Sequence, residues 1–84
     1  MPKKVKLYAL STCGWCKKTK SFLERHHVDC EILDVDLLEG EEKEKARAEV
    51  ARLNPKCSYP TLVANDTEVI VGYDEERIRE VLGL

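Results

Sequence analysis

Apolar and polar residues follow two different periods near the start of the chain. Val5, Leu7 and Ala9 alternate with other residues, and this period of two predicts a β-strand over residues 4–10. From residue 14 to about residue 27, apolar positions instead recur every three or four residues among lysine, arginine and glutamate, which predicts a helix. A strand therefore leads through a short turn into a helix.

Strands and helices continue to alternate in the rest of the chain. The composition predicts a strand, a helix and two further strands, over residues 30–35, 39–53, 61–64 and 68–71. The turn-prone triplet Asn65-Asp66-Thr67 joins the last two strands, which predicts an antiparallel hairpin. Asp74 is a suitable N-cap for a final helix, and Gly83 is a suitable residue to end it.

The order strand, helix, strand, helix, strand, strand, helix predicts an α/β fold. Its four strands form a mixed sheet with helices on both faces, because parallel strands need apolar cover on each side. A chain of 84 residues suffices for one domain and is too short for two. No internal repeat or linker interrupts the sequence, so we expect a single domain over residues 1–84.

The charge balance argues against a nucleic-acid partner. Lysine and arginine number 14, against 16 aspartate and glutamate residues, for a net charge of -2, whereas binding to a phosphate backbone requires a basic surface. Lys6 interrupts the apolar run that a signal peptide needs, and no apolar run reaches the roughly 20 residues of a membrane span. We therefore expect a cytoplasmic monomer without a membrane or nucleic-acid partner.

Cys13 and Cys16 form a Cys-Gly-Trp-Cys motif where the first strand meets the first helix. In a reducing compartment, a close pair of thiols indicates catalysis or metal binding rather than a permanent crosslink. At the helix start, backbone N–H groups without intrahelical partners and the helix dipole favour a thiolate, and Lys17 and Lys18 add positive charge. We predict that Cys13 is a nucleophile with a lowered pKa.

Cys16 lies one turn further along the same helix face and lacks the free N–H groups. We expect it to stay protonated until Cys13 has formed a mixed disulfide with a substrate, and then to attack that bond and release the product. Trp15 is expected to form a contact surface beside the sulfur. Half a zinc site is the alternative for such a pair, but neither Cys30 nor Cys57 supplies a second close pair.

The Cys-Gly-Trp-Cys motif, followed by Ser58-Tyr59-Pro60-Thr61 before the hairpin, resembles the glutaredoxin branch of the thioredoxin superfamily. The resemblance covers nearly the whole chain. It implies a thioredoxin-like fold and a dithiol–disulfide oxidoreductase that reduces protein disulfides or mixed disulfides. It also implies that the Tyr59-Pro60 bond is cis and faces Cys13, and that the backbone of Tyr59 pairs with a substrate peptide or with glutathione.

Gly72-Tyr73-Asp74 occupies the place where glutaredoxins hold the γ-glutamyl carboxylate of glutathione, so Asp74 is either a cap alone or a cap and a ligand. Val71 replaces the first glycine of the family's segment, and Gly72-Tyr73 is closer to redoxins that thioredoxin reductase reduces. The resemblance therefore leaves glutathione and a flavoprotein thioredoxin reductase as candidate electron donors, with no tightly bound cofactor. Thr12 and Lys17 are either polar neighbours of the thiol that contact the substrate or, for Lys17, solvated helix surface.

Two questions about the cysteines stay open at this point. Cys57, three residues before Pro60, is either a second resolving thiol or an inert buried residue, and Cys30 is expected to be inert. The active pair also has an alternative use in a metal-binding module. In that case Cys13 of two chains would bind an iron–sulfur cluster together with glutathione, or Cys13 and Cys16 would bind zinc.

Overall fold

The computed structural model describes residues 5–56, 58–65 and 68–84. Its strands are β1 (Val5–Ala9), β2 (Cys30–Asp34), β3 (Thr61–Ala64) and β4 (Glu68–Val71). Its α-helices are α1 (Gly14–Arg25), α2 (Gly40–Leu53) and α3 (Glu75–Leu82), and a short 3₁₀ helix, Val35–Leu37, follows β2. This order confirms the predicted succession of strands and α-helices.

The strands form one sheet in the order β2, β1, β3, β4. β1 pairs with β2 in parallel, with Leu7 opposite Ile32. β1 pairs with β3, and β3 pairs with β4, in antiparallel register, with Leu7 opposite Leu62 and Leu62 opposite Ile70. The sheet is therefore mixed, as predicted, and β1 is one of its two central strands. The turn that leads to Cys13 starts from this central strand.

Successive side chains of each strand point to opposite faces of the sheet, and each face packs against different helices. On one face, α1 and α3 join alternate strand positions in a core cluster that contains Val5, Leu7, Ala9, Leu62, Ala64, Ile70, Phe22, Leu23, Ile78 and Val81. On the other face, α2 and the 3₁₀ helix complete a smaller cluster of Tyr8, Val63, Val35, Ala46 and Val50. Helices therefore cover both faces, as the sequence predicted.

α1 ends at Arg25, two residues before the predicted boundary. His27 adopts the left-handed conformation (φ 54°), and its N–H donates to the carbonyl oxygen of Glu24 at 3.1 Å. The N–H of Val28 donates to the carbonyl oxygen of Leu23 at 2.9 Å. These two bonds form a Schellman motif, in which a residue of positive φ ends the helix. The sequence did not indicate this ending because histidine stands where glycine usually marks it.

Two strand boundaries also differ from the prediction. The strand expected over residues 30–35 ends at Asp34, because Val35 begins the 3₁₀ helix and is buried beneath α2. β1 ends at Ala9, and Leu10 belongs to the following turn. Both differences lie at the edge of the sheet from which the active-site turn starts, so they affect how that turn is held.

The last part of the chain follows the prediction. β3 and β4 form the expected antiparallel hairpin, in which Asn65 adopts φ 54°; Asp66 and Thr67 lie outside the described residues. A side-chain oxygen of Asp74 accepts a backbone N–H from the first turn of α3 at 3.2 Å, which makes Asp74 the N-cap. Gly83 ends α3 in the left-handed conformation (φ 70°).

The outer faces of the helices carry charged residues. The guanidinium group of Arg79 pairs with Glu75 at 3.1 Å in α3, and Arg52 pairs with Glu49 in α2. Both pairs are exposed to solvent, so each contributes little to stability. Within the described part of the chain, no helix is long and apolar enough to cross a membrane.

Candidate active site

Cys13 is the N-cap of α1, which is the position that the sequence predicts for it. Its backbone is extended (φ -83°, ψ 122°), and its Sγ accepts a hydrogen bond from the backbone N–H of Cys16 at 3.4 Å. The N–H of Cys13 itself donates to the carbonyl oxygen of Leu10 at 3.1 Å, which closes the turn between β1 and α1. The sulfur therefore occupies the place of the oxygen that usually caps a helix.

The surroundings of Cys13 lower the pKa of its thiol below the ordinary value. Burial favours the neutral thiol and acts in the opposite direction. Hydrogen bonds from the Cys16 thiol and from the backbone N–H groups of Cys16 and Trp15 stabilise the thiolate and outweigh burial. The ammonium group of Lys20 adds a further electrostatic attraction. Cys13 is half-buried, so its thiolate remains accessible.

Cys16 has the opposite character. It is fully buried, and burial raises the pKa of its thiol to about 11. The N–H of Leu10 donates to its Sγ at 3.4 Å and works against this rise, whereas the neighbouring thiol of Cys13 adds to it. The two sulfurs are thus an accessible thiol with a lowered pKa and a buried thiol with a raised pKa. This is the asymmetry that a nucleophile and a resolving thiol require.

The lysine that acts on Cys13 is not one of the two that the sequence indicated. The sequence assigned the positive charge to Lys17 and Lys18, but the cationic contribution to the lowered pKa comes from Lys20. Lys20 also forms an ion pair with Asp34 at 2.6 Å, which ties α1 to the end of β2. Lys17 is exposed, and Lys18 lies over an aromatic ring instead.

Trp15 and Tyr73 form an aromatic surface beside the cysteine pair. Trp15 is 59% exposed, and its ring stacks on that of Tyr73 with the centroids 6.2 Å apart and an angle of 27°. The ammonium nitrogen of Lys18 lies 4.8 Å from the centroid of the Trp15 ring, a cation–π contact. Tyr73 in turn meets the buried Phe22 edge to face, at 6.3 Å. The exposed tryptophan is therefore supported from the core.

The loop before β3 contains the Tyr59-Pro60 bond, which is cis, as the resemblance implied. Pro60 is buried, and its carbonyl oxygen accepts the N–H of Gly72 at 2.8 Å. Tyr59 is half-buried and packs against both core clusters, and Cys13 packs against the cluster beneath α1. The bond from Gly72 fixes this loop to the segment that precedes α3.

The segment from Gly72 to Asp74 contacts the proline loop, the ring of Trp15 and the first turn of α3. Gly72 has φ 80°, a conformation that suits glycine, and its N–H holds the proline loop. Tyr73 contacts Trp15, as described above. Asp74 is exposed, and its carboxylate caps α3. Thr12 is exposed next to Cys13 in the chain.

Asn54 is a structural residue of the site that the sequence did not reveal. It is buried, and its side-chain amide donates to the carbonyl oxygen and the hydroxyl oxygen of Ser58 at 3.2 and 3.0 Å, and to the hydroxyl oxygen of Thr61 at 3.3 Å. The Thr61 hydroxyl group donates to the carbonyl oxygen of Ser58 at 2.8 Å. These bonds hold the loop on both sides of its cis peptide. In the sequence, Asn54 only follows the helix predicted over residues 39–53.

Asp36 is a second residue that the sequence did not indicate. Its carboxylate accepts the backbone N–H of Ser11 at 2.9 Å and the hydroxyl group of Ser11 at 2.5 Å. Hydrogen bonding by the Ser11 hydroxyl and N–H lowers the pKa of Asp36. The two residues are 25 positions apart and belong to no sequence motif, so only the fold brings them together.

A groove of about 270 Å³ opens beside the active-site turn. Its lining consists of Leu10, Val35, Asp36, Lys43, Arg47 and Tyr59. Leu10, Val35 and Tyr59 provide apolar surface, whereas the two basic residues come from α2. With the Asp36 carboxylate as the one acidic group against these two basic residues, the groove lining is net positive and suits a ligand that carries negative charge.

The remaining cysteines differ from the pair. Burial raises the pKa of Cys30 to about 11, with a further contribution from the charges of Asp29 and Glu31, as expected of an unreactive thiol. Cys57 lies outside the described residues, so both of its predicted roles stay predictions. Among residues 5–56, 58–65 and 68–84, no three His, Cys, Asp or Glu side chains are grouped to hold a metal ion.

The fold is a four-stranded mixed sheet with three α-helices, and it has a cysteine pair at the N-terminus of the first helix. These features define a thiol redox protein with the thioredoxin-like fold. The fold that the resemblance implied is thereby confirmed. Residues 5–69 match the family model for glutaredoxin. The chain belongs to the glutaredoxin family, whose members are thiol–disulfide oxidoreductases.

Solved structures and a curated relative agree with this assignment. The chain is 53% identical to methanoredoxin of Methanosarcina acetivorans, with a TM-score of 0.93 over 96% of this chain and 85% of that one. It is 40% identical to a glutaredoxin of Archaeoglobus fulgidus, with a TM-score of 0.86 over 94% of this chain and 85% of that one. A glutaredoxin-like 8.6 kDa protein in the rubredoxin operon of Clostridium pasteurianum is 31% identical over 93% of this chain and 96% of its own length.

Proposed function

We propose that this protein reduces protein disulfides or mixed disulfides through Cys13 and Cys16. The observation that carries the proposal is the difference between the two thiols: the accessible Cys13 has a lowered pKa, and the buried Cys16 has a raised one. A thiolate is the attacking species in disulfide exchange, so only one member of the pair is ready to start the reaction. The second waits in contact with it, at the same helix terminus.

The reaction has two exchange steps. The Cys13 thiolate attacks one sulfur of the substrate disulfide, forms a mixed disulfide, and releases the first substrate thiol, which takes up a proton. Cys16 then loses its proton and attacks the Sγ of Cys13, which releases the second substrate thiol and leaves a Cys13–Cys16 disulfide. The substrate gains two electrons and the protein loses two. An external thiol or a reductase then restores the dithiol form.

We propose that Cys16 is activated only at the stage at which it attacks. Burial is the main cause of its raised pKa, but the hydrogen bond with Cys13 and the negative charge of Cys13 raise it further. Once Cys13 belongs to a mixed disulfide, its charge is gone and its sulfur no longer competes for protons. The pKa of Cys16 therefore falls at the stage at which it has to attack, while the N–H of Leu10 remains available to stabilise the thiolate.

The surface around Cys13 supports a disulfide-containing protein as substrate. The Tyr59 backbone, next to the cis proline, is proposed to pair with a substrate segment as an added strand. The stacked rings of Trp15 and Tyr73 offer an apolar contact on the other side, and an exposed tryptophan is a frequent anchor of protein interfaces. We propose that the protein acts as a monomer in the cytoplasm, where a reducing environment would keep the pair reduced.

Two electron donors are supported by different residues. Lys43 and Arg47 place two positive charges along the groove beside Tyr59, which suits the carboxylates of glutathione. Val71 replaces the first glycine of the family's segment, and Gly72-Tyr73 is closer to redoxins that thioredoxin reductase reduces, which favours a flavoprotein thioredoxin reductase as the donor. Turnover of a disulfide substrate with glutathione and with the reductase, each supplied separately, decides between them.

The test of the reaction is reduction of insulin by single-cysteine variants. Cys13→Ser should lose activity, because it removes the nucleophile. Cys16→Ser should lose reduction of insulin but keep reduction of a glutathione mixed disulfide, which needs only one thiol. Cys30→Ser is the matched control and should keep both activities. Full activity of Cys13→Ser in the insulin assay would show that the proposed mechanism is wrong.

A further inference from the structure

Asp36 connects the 3₁₀ helix to the turn that precedes Cys13. Its two carboxylate oxygens accept hydrogen bonds from one residue: the N–H of Ser11 donates to Oδ1 at 2.9 Å, and the hydroxyl group of Ser11 donates to Oδ2 at 2.5 Å. Hydrogen bonds to an ionised carboxylate are shorter and stronger than neutral ones. Because both bonds hold Ser11, they fix the direction of its N–H as well as its position.

The N–H of Ser11 belongs to the same peptide plane as the carbonyl group of Leu10, and a peptide plane is rigid. Asp36 holds this plane from one side. From the other side, the carbonyl oxygen of Leu10 accepts the N–H of Cys13 at 3.1 Å. The plane of this peptide is therefore fixed at both ends. The N–H of Leu10 belongs to the preceding Ala9–Leu10 peptide, which only the two backbone rotations at Leu10 separate from the fixed plane, and it donates to the Sγ of Cys16 at 3.4 Å.

We propose that Asp36 is a positioning residue for the resolving step: through Ser11 it limits the backbone rotations at Leu10 and so keeps the N–H of Leu10 directed at the Sγ of Cys16. A donor aimed at a sulfur stabilises the thiolate relative to the thiol, so this contact assists Cys16 when it loses its proton and attacks the mixed disulfide. The first step depends less on Asp36, since the backbone donors to the Sγ of Cys13 belong to α1 and only the N–H of Cys13 meets the peptide that Asp36 holds.

The two steps separate in the reaction with an aromatic disulfide whose released thiolate is coloured. Attack by Cys13 forms a protein–reagent mixed disulfide and releases the first coloured thiolate; attack by Cys16 on the Sγ of Cys13 releases the second. A background with Cys30→Ser and Cys57→Ser removes the other thiols. In Asp36→Ala, the second phase should slow by about fivefold, the factor equivalent to one hydrogen bond, and the first phase should change by a smaller factor.

Two further variants distinguish positioning from a general loss of structure. Asp36→Asn keeps an oxygen that accepts the N–H of Ser11, so it should retain most of the rate of the second phase. Glu44→Ala removes one exposed negative charge from α2 and should change neither phase. The role of Asp36 would be overturned by an unchanged second phase in Asp36→Ala, by equal slowing of both phases, or by an Asp36→Asn variant as slow as Asp36→Ala.

The role of Asp36 rests on the proposed dithiol function, and the same traces separate the two. If the unsubstituted protein shows no fast first phase attributable to Cys13, the proposed function fails. If that phase is fast and only the effect of Asp36 on the second phase is missing, the positioning role fails while the dithiol mechanism stands.

Discussion

Replacement of Phe22 with alanine should remove much of the protein's stability. Phe22 is fully buried in the core cluster between α1, α3 and the sheet. Its ring centroid lies 4.5 Å from that of His26 and 6.3 Å from that of Tyr73, and the guanidinium carbon of Arg79 lies 5.4 Å from its centroid. Alanine would lose all three ring contacts and leave a cavity in their place.

The expected loss of stability is large relative to the total free energy of unfolding of a small domain. Truncation of a buried phenylalanine to alanine typically costs about 3–5 kcal/mol, and a small domain has a free energy of unfolding of about 5–15 kcal/mol. Urea denaturation of Phe22→Ala should show a free energy of unfolding that is lower by about 3–5 kcal/mol. Leu37→Ala is the control, since Leu37 is 66% exposed and its truncation should cost less than about 0.5 kcal/mol. A loss for Phe22→Ala no greater than that for Leu37→Ala would refute the packing described for α1.

The same variant should be detectable at the active site. Tyr73 contacts Phe22 on one side and stacks on Trp15, the single tryptophan of the chain, on the other. Without Phe22, the Tyr73 ring gains freedom and Trp15 loses its support. The fluorescence anisotropy of Trp15 should therefore fall in conditions where the variant is still folded. An unchanged anisotropy would show that the tryptophan is held independently of the core.

Four further variants test other parts of the structure. Asp74→Ala should lower the free energy of unfolding by about 1 kcal/mol, the usual value of an N-cap, and Asp74→Asn should restore most of it; equal stability of all three proteins in urea would contradict the capping role. Burial raises the pKa of Cys16 and of Cys30 from 9.0 to about 11. Below pH 9.0 these two thiols should not affect the free energy of unfolding. That free energy should fall as the pH rises from 9.0 to about 11, because the thiols ionise first in the unfolded protein. Cys30→Ser should flatten this fall, and the same pH dependence in the variant would argue against a raised pKa of the half-buried Cys30. The charge of Lys20 lowers the pKa of Cys13, after the effects of burial and hydrogen bonding. Lys20→Gln should therefore raise the pH midpoint of Cys13 alkylation. An unchanged midpoint would exclude this contribution.

The parts of the fold that follow from repeating patterns were predictable from the sequence. The alternation of Val5, Leu7 and Ala9 predicted β1, and these residues do lie on one face of the sheet. The cap of α3 by Asp74 and its end at Gly83 were also predicted, because each depends on a local residue preference. The cis peptide before Pro60 came from the family resemblance alone, since a local sequence gives no sign of it.

The contacts that were missed depend on tertiary structure rather than on a local sequence pattern. Asp36 meets Ser11 only because β1 and β2 pair in parallel and the 3₁₀ helix follows β2. Asn54 acts through a loop whose shape is set by tertiary packing. Neither residue has a spacing or composition that marks it. The effect of Lys20 on the Cys13 thiol was missed because the ion pair with Asp34, a residue of β2, holds the Lys20 side chain, and helix spacing alone does not indicate that pair.

The most direct test of the account is the titration of the Cys13 thiol in the folded protein. The rate of alkylation of Cys13 is measured as a function of pH in a background with Cys30→Ser and Cys57→Ser, and the same protein in denaturant provides the reference. Cys13 at the N-cap of α1 should titrate at lower pH in the folded protein than in the denatured one, since hydrogen bonds outweigh burial there. A folded-state midpoint equal to or above that of the denatured protein would contradict the account, because no sulfur would then be prepared to attack.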